Sequence, residues 1–150
     1  MAGKYLSVQL HFVWSTKQRV RWVSRNWCDD MYAYMRGVVT NKGGKVLEIG
    51  GTDDHVHACV ALPSTITIAE MINAMKTNSS RWVHDNHINS TGYSWQKGYG
   101  AFSVSKSAEE SVRKYIRDQE EHHKTRSFQE EFLTLLKLHQ IEYDPRYLWD

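Results

Sequence analysis

The sequence predicts an α+β fold: a ferredoxin-like split βαβ arrangement, RRM-like, with an antiparallel sheet and further helices at its C-terminal end. Three observations carry this expectation. Apolar spacing alternates between period two and period 3.6 in the order strand, helix, strand, strand, helix, strand, helix, helix. A Gly50-Gly51-Thr52-Asp53 turn joins the middle strands as a hairpin. The length of 150 residues suits one domain, 1–150, and falls short of the roughly 250 of a barrel enzyme.

From Tyr5 to Ser15, Leu6, Val8, Leu10, Phe12 and Trp14 alternate with Ser7, Gln9, His11 and Val13, the pattern of a half-buried strand. Ser24 can cap a helix running to about Asn41, in which Trp27, Met31, Tyr34, Met35, Val38 and Val39 recur at helical spacing. The Gly43-Gly44 pair ends it. Lys45 to Ile49 and Asp54 to Leu62 then read as the hairpin strands. Beyond Pro63, Ile68, Met71, Ile72 and Met75 form an i, i+3, i+4, i+7 stripe on a helix that continues towards Val83. The polar stretch from Asn86 to Gly100 reads as a loop before a fourth strand at Ala101 to Ser105. Ser107 opens a third helix with Glu109 and Glu110 in its first turn, running through Tyr115 to His122. Ser127 and Glu130 make a capping box for a last helix whose apolar face is Phe128, Phe132, Leu135, Leu136 and Leu138. Right-handed crossovers put the two early helices on one sheet face.

Composition narrows the function classes without choosing one. No apolar run approaches the roughly 20 residues needed to cross a bilayer, so no membrane association is expected. Met1 to Lys4 lead directly into the first strand without a signal-peptide pattern, and a cytoplasmic location is expected. Cys28 and Cys59 are too few for a disulfide framework or a four-sulfur zinc site and read as buried free thiols. A net charge of +2 permits nucleic-acid binding without demanding it. Six Trp and eight Tyr suit base stacking, but they suit core packing equally well.

The chemistry is concentrated in two places. His55 and His57 flank Val56 in the third strand, so their imidazoles share one face with Cys59 and Ala61, opposite the apolar Val56, Ala58, Val60 and Leu62. Such a pair alone is a weak metal signal, because two partly exposed strand histidines would read the same way. In the third helix Tyr115 and Gln119 are four residues apart and present a phenol and an amide oxygen on one face. Two imidazoles and an amide carbonyl can hold a divalent ion such as Mg²⁺ or Mn²⁺ and leave room for phosphate oxygens.

Asp54-His55-Val56-His57 followed by Tyr115-Ile116-Arg117-Asp118-Gln119 resembles the metal and nucleophile motifs of the single-tyrosine HUH transposases, the IS200/IS605 type of insertion sequences that move as single-stranded DNA. Phe12 to Lys17 with Arg19, Lys76 through Trp82, and Trp95 to Ser105 resemble that family too, and Ile141 to Trp149 looks like a tail found in some members. The resemblance implies metal ligation by His55, His57 and Gln119 and a nucleophilic Tyr115. It also implies a homodimer whose active sites join the histidines of one subunit to the tyrosine helix of the other, and a substrate of single-stranded DNA folded into hairpins. Ala58-Cys59 is smaller than the family pattern leads one to expect there.

On this reading the protein is a metal-dependent endonuclease and strand transferase. Tyr115 attacks a phosphodiester to give a 5′-phosphotyrosine and a free 3′-hydroxyl, and the stored bond lets a second 3′-hydroxyl rejoin strands without ATP. Arg19, Lys76, Arg81 and Lys97 are the candidate DNA contacts. The competing readings are a domesticated hairpin-binding regulator that does not cut, an unrelated histidine-metal hydrolase, and a plain interaction module.

Overall fold

The computed structural model describes residues 3–87 and 93–150. Its sheet is antiparallel throughout, in the order β2-β3-β1-β4, with β1 (Gln9–Ser15), β2 (Lys45–Gly51), β3 (His55–Ala61) and β4 (Gly100–Val104). This is the expected split βαβ order, with β1 and β3 paired at the centre. Part of the expected loop, residues 88–92, lies outside the described residues.

One face carries α1 (Cys28–Asn41) and α2 (Ile68–Asn86), whose Met31, Met35, Met71 and Met75 pack on Phe12, Trp14, Val56, Ala58 and Val60. Unbranched thioethers fill the gaps between these aromatic and small side chains. Ser24 does not cap α1: its hydroxyl accepts from Asn26 N (3.2 Å) in a preceding turn, and Trp27 holds the N-cap position. Gly43, at φ 88°, ends the helix in a left-handed conformation that a side chain would strain. Thr67 caps α2 by accepting from Glu70 N.

The other face is covered by α3 (Glu109–Arg117), α4 (Gln119–His122) and α5 (Phe128–Leu138), the last opening with the expected Ser127–Glu130 capping box. Phe128, Phe132 and Leu136 join Val13 and Phe102 in a second core cluster there. With both faces covered, the end of β1 is fully buried, whereas its alternation suggests burial on one side only. Tyr5, Leu6 and Val8, by contrast, lie exposed ahead of the strand.

Three boundaries differ from expectation for physical reasons. Gly50 and Gly51 belong to β2 instead of the turn, and α3 lies so close over them that a Cβ on Gly50 would stand 2.6 Å from the Ile116 carbonyl oxygen. The helix expected over 107–122 begins as a short 3₁₀ turn, Lys106–Ala108, and is interrupted at Asp118. No glycine or proline marks that break; it falls just before Gln119, whose side chain bonds a β3 histidine. Cys59 is buried as expected, but Cys28 is partly exposed at the start of α1.

Candidate active site

β3 delivers His55 and His57 to the face under α3–α5, where both are completely buried instead of partly exposed. Each imidazole is held from behind. His55 Nδ1 bonds Asp54 Oδ1 (2.7 Å) and Thr52 Oγ1 (3.0 Å), which turns its Nε2 inward. His57 Nδ1 lies 2.7 Å from Nε2 of His11, whose ring stacks on it from β1. Such outer partners fix ring orientation and tautomer in metal-binding histidines. Burial lowers the pKa of His57 and lowers that of His11 well below the usual histidine value, which favours neutral, ligating imidazoles.

The tyrosine helix meets these histidines within the same chain. Gln119 Oε1 is 2.9 Å from His55 Nε2, and the Tyr115 ring lies 5.8 Å from that of His57. His122 stacks on the Tyr115 ring at 4.5 Å, and its buried Nε2 has no hydrogen-bond partner among the described residues.

The element that sequence reasoning missed is Glu131 on α5, only 2% exposed. Its Oε1 accepts from His57 Nε2 (2.8 Å) and His123 Nε2 (3.1 Å) and lies 3.5 Å from His55 Nε2. Its Oε2 accepts from the Tyr115 hydroxyl and from Gln119 Nε2 (3.2 Å). Burial opposes its ionisation, but the surrounding imidazoles, His57 first, hold it far below the ordinary carboxylate range. For His123 burial works against protonation, yet the Glu131 hydrogen bond and charge outweigh it and raise the pKa. Burial first, then Glu131, raise the Tyr115 phenol above its ordinary value, so it is protonated at neutral pH.

His55, His57 and Glu131 offer ligand atoms within 4.8 Å of one another, and Gln119 Oε1 adds an amide oxygen beside them. This mixture of imidazole nitrogen and oxygen donors, with the second nitrogen of each histidine engaged, fits a divalent cation.

A model of the family described as IS200-like transposases matches residues 4–119. The chain belongs to this family. Among solved structures, this IS200-like transposase resembles one described as a transposase from Deinococcus radiodurans R1, with 21% identity and a TM-score of 0.62 over 79% of this chain and 97% of that one. It also resembles a REP-associated tyrosine transposase bound to a REP hairpin, at 11% identity and a TM-score of 0.61, covering 82% of this chain and 74% of the other. These likenesses bear out the fold. A search among curated proteins returns no match. Membership makes the protein an enzyme acting on DNA, and no helix among the described residues is long and apolar enough to cross a membrane. The family match stops at Gln119, so Glu131 lies beyond it.

The candidate DNA contacts of this transposase are more dispersed. Lys76 Nζ donates to the carbonyls of Gln96 (2.9 Å), Lys97 (3.3 Å) and Gly98 (2.7 Å), so it braces the segment leading into β4. The Lys97 side chain is exposed, as is Arg81 on α2. Arg19 sits in a left-handed backbone conformation, φ 56°, with its guanidinium over Trp149 and bonded to the Trp149 carbonyl (3.3 Å). Arg19 also lines a groove of about 1100 Å³ with Arg21, Arg25 and Arg126, which reaches the site at Asp54 and His123.

Proposed function

We propose that this transposase cuts and rejoins single-stranded DNA, with Tyr115 as nucleophile and a divalent cation, Mg²⁺ or Mn²⁺, held by His55, His57 and Gln119. The observation that supports it best is the convergence of a half-buried phenol on two buried, inward-facing imidazole nitrogens and a buried amide oxygen. When bound, the cation supplies Lewis-acid stabilisation of charge on the attacked phosphate. Tyr115 supplies the oxygen that bonds phosphorus, giving a 5′-phosphotyrosine and releasing a 3′-hydroxyl. Attack by a second 3′-hydroxyl on that ester frees Tyr115 and rejoins strands.

DNA folded into hairpins is the substrate that this reading favours. Its support is family membership together with a solved relative that was captured on a hairpin. Arg19, Arg81 and Lys97 are proposed to meet phosphates, with Lys76 acting from beneath through the loop that it braces. The resemblance to the family implies a homodimer with shared sites. The contacts of Tyr115 and Gln119 here run to histidines of their own chain, which supports a site assembled within one subunit, whether or not the protein pairs.

The test is a denaturing gel of the protein with labelled single-stranded hairpin oligonucleotides from the flanks of its gene, with and without Mg²⁺ or Mn²⁺. A cation-dependent covalent adduct that Tyr115→Phe abolishes supports the reading. Cleavage that survives Tyr115→Phe would point to a hydrolase built on His55, His57 and Glu131, whose ligand atoms lie within 4.8 Å of one another. Intact oligonucleotide bound tightly in every lane would point to a regulator.

A further inference from the structure

The family match ends at Gln119, yet the group in closest touch with the Tyr115 hydroxyl comes from α5. We propose that Glu131 is the positioning residue of the nucleophile: its carboxylate spans the cluster, holding Tyr115 with one oxygen and the histidines with the other. The proposal rests on reading Tyr115 as the nucleophile.

The geometry is that of a bridge. The two oxygens of Glu131 have separate tasks, Oε2 accepting from the phenol and from Gln119 Nε2, and Oε1 accepting from His57 and His123. A carboxylate buried to this degree is costly unless every lone pair is used, and four donors use them. A phenol on a helix would otherwise be free to turn about its side-chain torsions. Here its hydroxyl is tied by Glu131 while His122 stacks on its face and His57 lies edge-on to it. In-line attack on phosphorus is sensitive to such aim, and a displacement of about 1 Å can cost on the order of 10²-fold in rate. Glu131 reaches the site because α5 packs its Phe128 and Phe132 onto the sheet, so the aim of the tyrosine depends on a helix outside the HUH and tyrosine motifs.

The experiment uses the full chain with ¹³Cζ-labelled tyrosine, without added metal, and assigns the Tyr115 resonance with Tyr115→Phe. Glu131→Gln and Glu131→Asp are compared with the parent, and thermal melts identify which variants fold. The expected result is that the Tyr115 signal alone moves, towards the position of exposed tyrosines. Adduct formation with the hairpin oligonucleotide should fall by about 10²-fold while binding of the same oligonucleotide holds. An unmoved Tyr115 signal in a folded variant, or an adduct yield that falls only in step with the folded fraction, would overturn the proposal and leave Glu131 as an anchor of α5. If the parent forms no adduct at all, the nucleophile reading fails, and the resonance still decides whether Glu131 holds the phenol.

Discussion

The ammonium of Lys76 has three carbonyl acceptors and lies over the rings of Trp14 (5.7 Å) and Tyr99 (5.6 Å). That surrounding ties the side chain to the segment leading into β4. Burial pulls its pKa down from 10.5 to about 8. Between those values the unfolded chain holds more protons than the folded one, so this residue's contribution to stability rises as pH climbs from about 8 to 10.5. Urea melts across that window should show the rise, and Lys76→Met should flatten it. The candidate residues His55, His57, Tyr115 and Gln119 were legible because their spacing is local to one strand and one helix. His11 and His123 were not, since nothing in their own stretches says that they face β3 or α5.

At the scale of the element, α5 was legible as a helix and illegible as part of the site. Its capping box needs only Ser127 and Glu130, and Ser127→Ala should cost about 1 kcal/mol of stability, read as a shift in the denaturation midpoint without a change in slope. A signal for the rest was present: Glu131 falls at i+3 from Phe128 and beside Phe132, so a carboxylate sits within the apolar stripe where a charge has no place unless something receives it. Which partners receive it is a matter of tertiary packing that helical periodicity does not encode. The break at Asp118 is of the same kind: local propensity runs through it, and it falls just before Gln119, whose side chain reaches His55.

For the whole molecule, the split βαβ order of the sheet and the shared face of the two early helices followed from the succession of periods and from right-handed crossovers. The burial of β3 on both faces did not, because the alternation of imidazole and methyl-bearing side chains looks the same whether helices cover one face or two. A cluster drawn from β1, β3, α3, α4 and α5 of one chain carries a consequence for assembly. Mixing equal amounts of His57→Ala and Tyr115→Phe proteins should yield no covalent adduct, because neither chain holds a complete set. Recovery of adduct, up to about a quarter of the parent level for random pairing into shared sites, would show that subunits exchange the tyrosine helix.

Gly50 carries no side chain, and the carbonyl oxygen of Ile116 stands only 2.6 Å from where its first side-chain carbon would be. Backbone cannot yield there as a flexible side chain would, so even alanine must lift the helix that bears Tyr115, at a cost of about 1–3 kcal/mol. In a saturation mutational scan scored for strand transfer, position 50 should therefore tolerate replacement as poorly as the histidines do. Its intolerance would be a fingerprint of helix height over the sheet, and a map of sensitive positions taken at face value would mistake it for a binding residue.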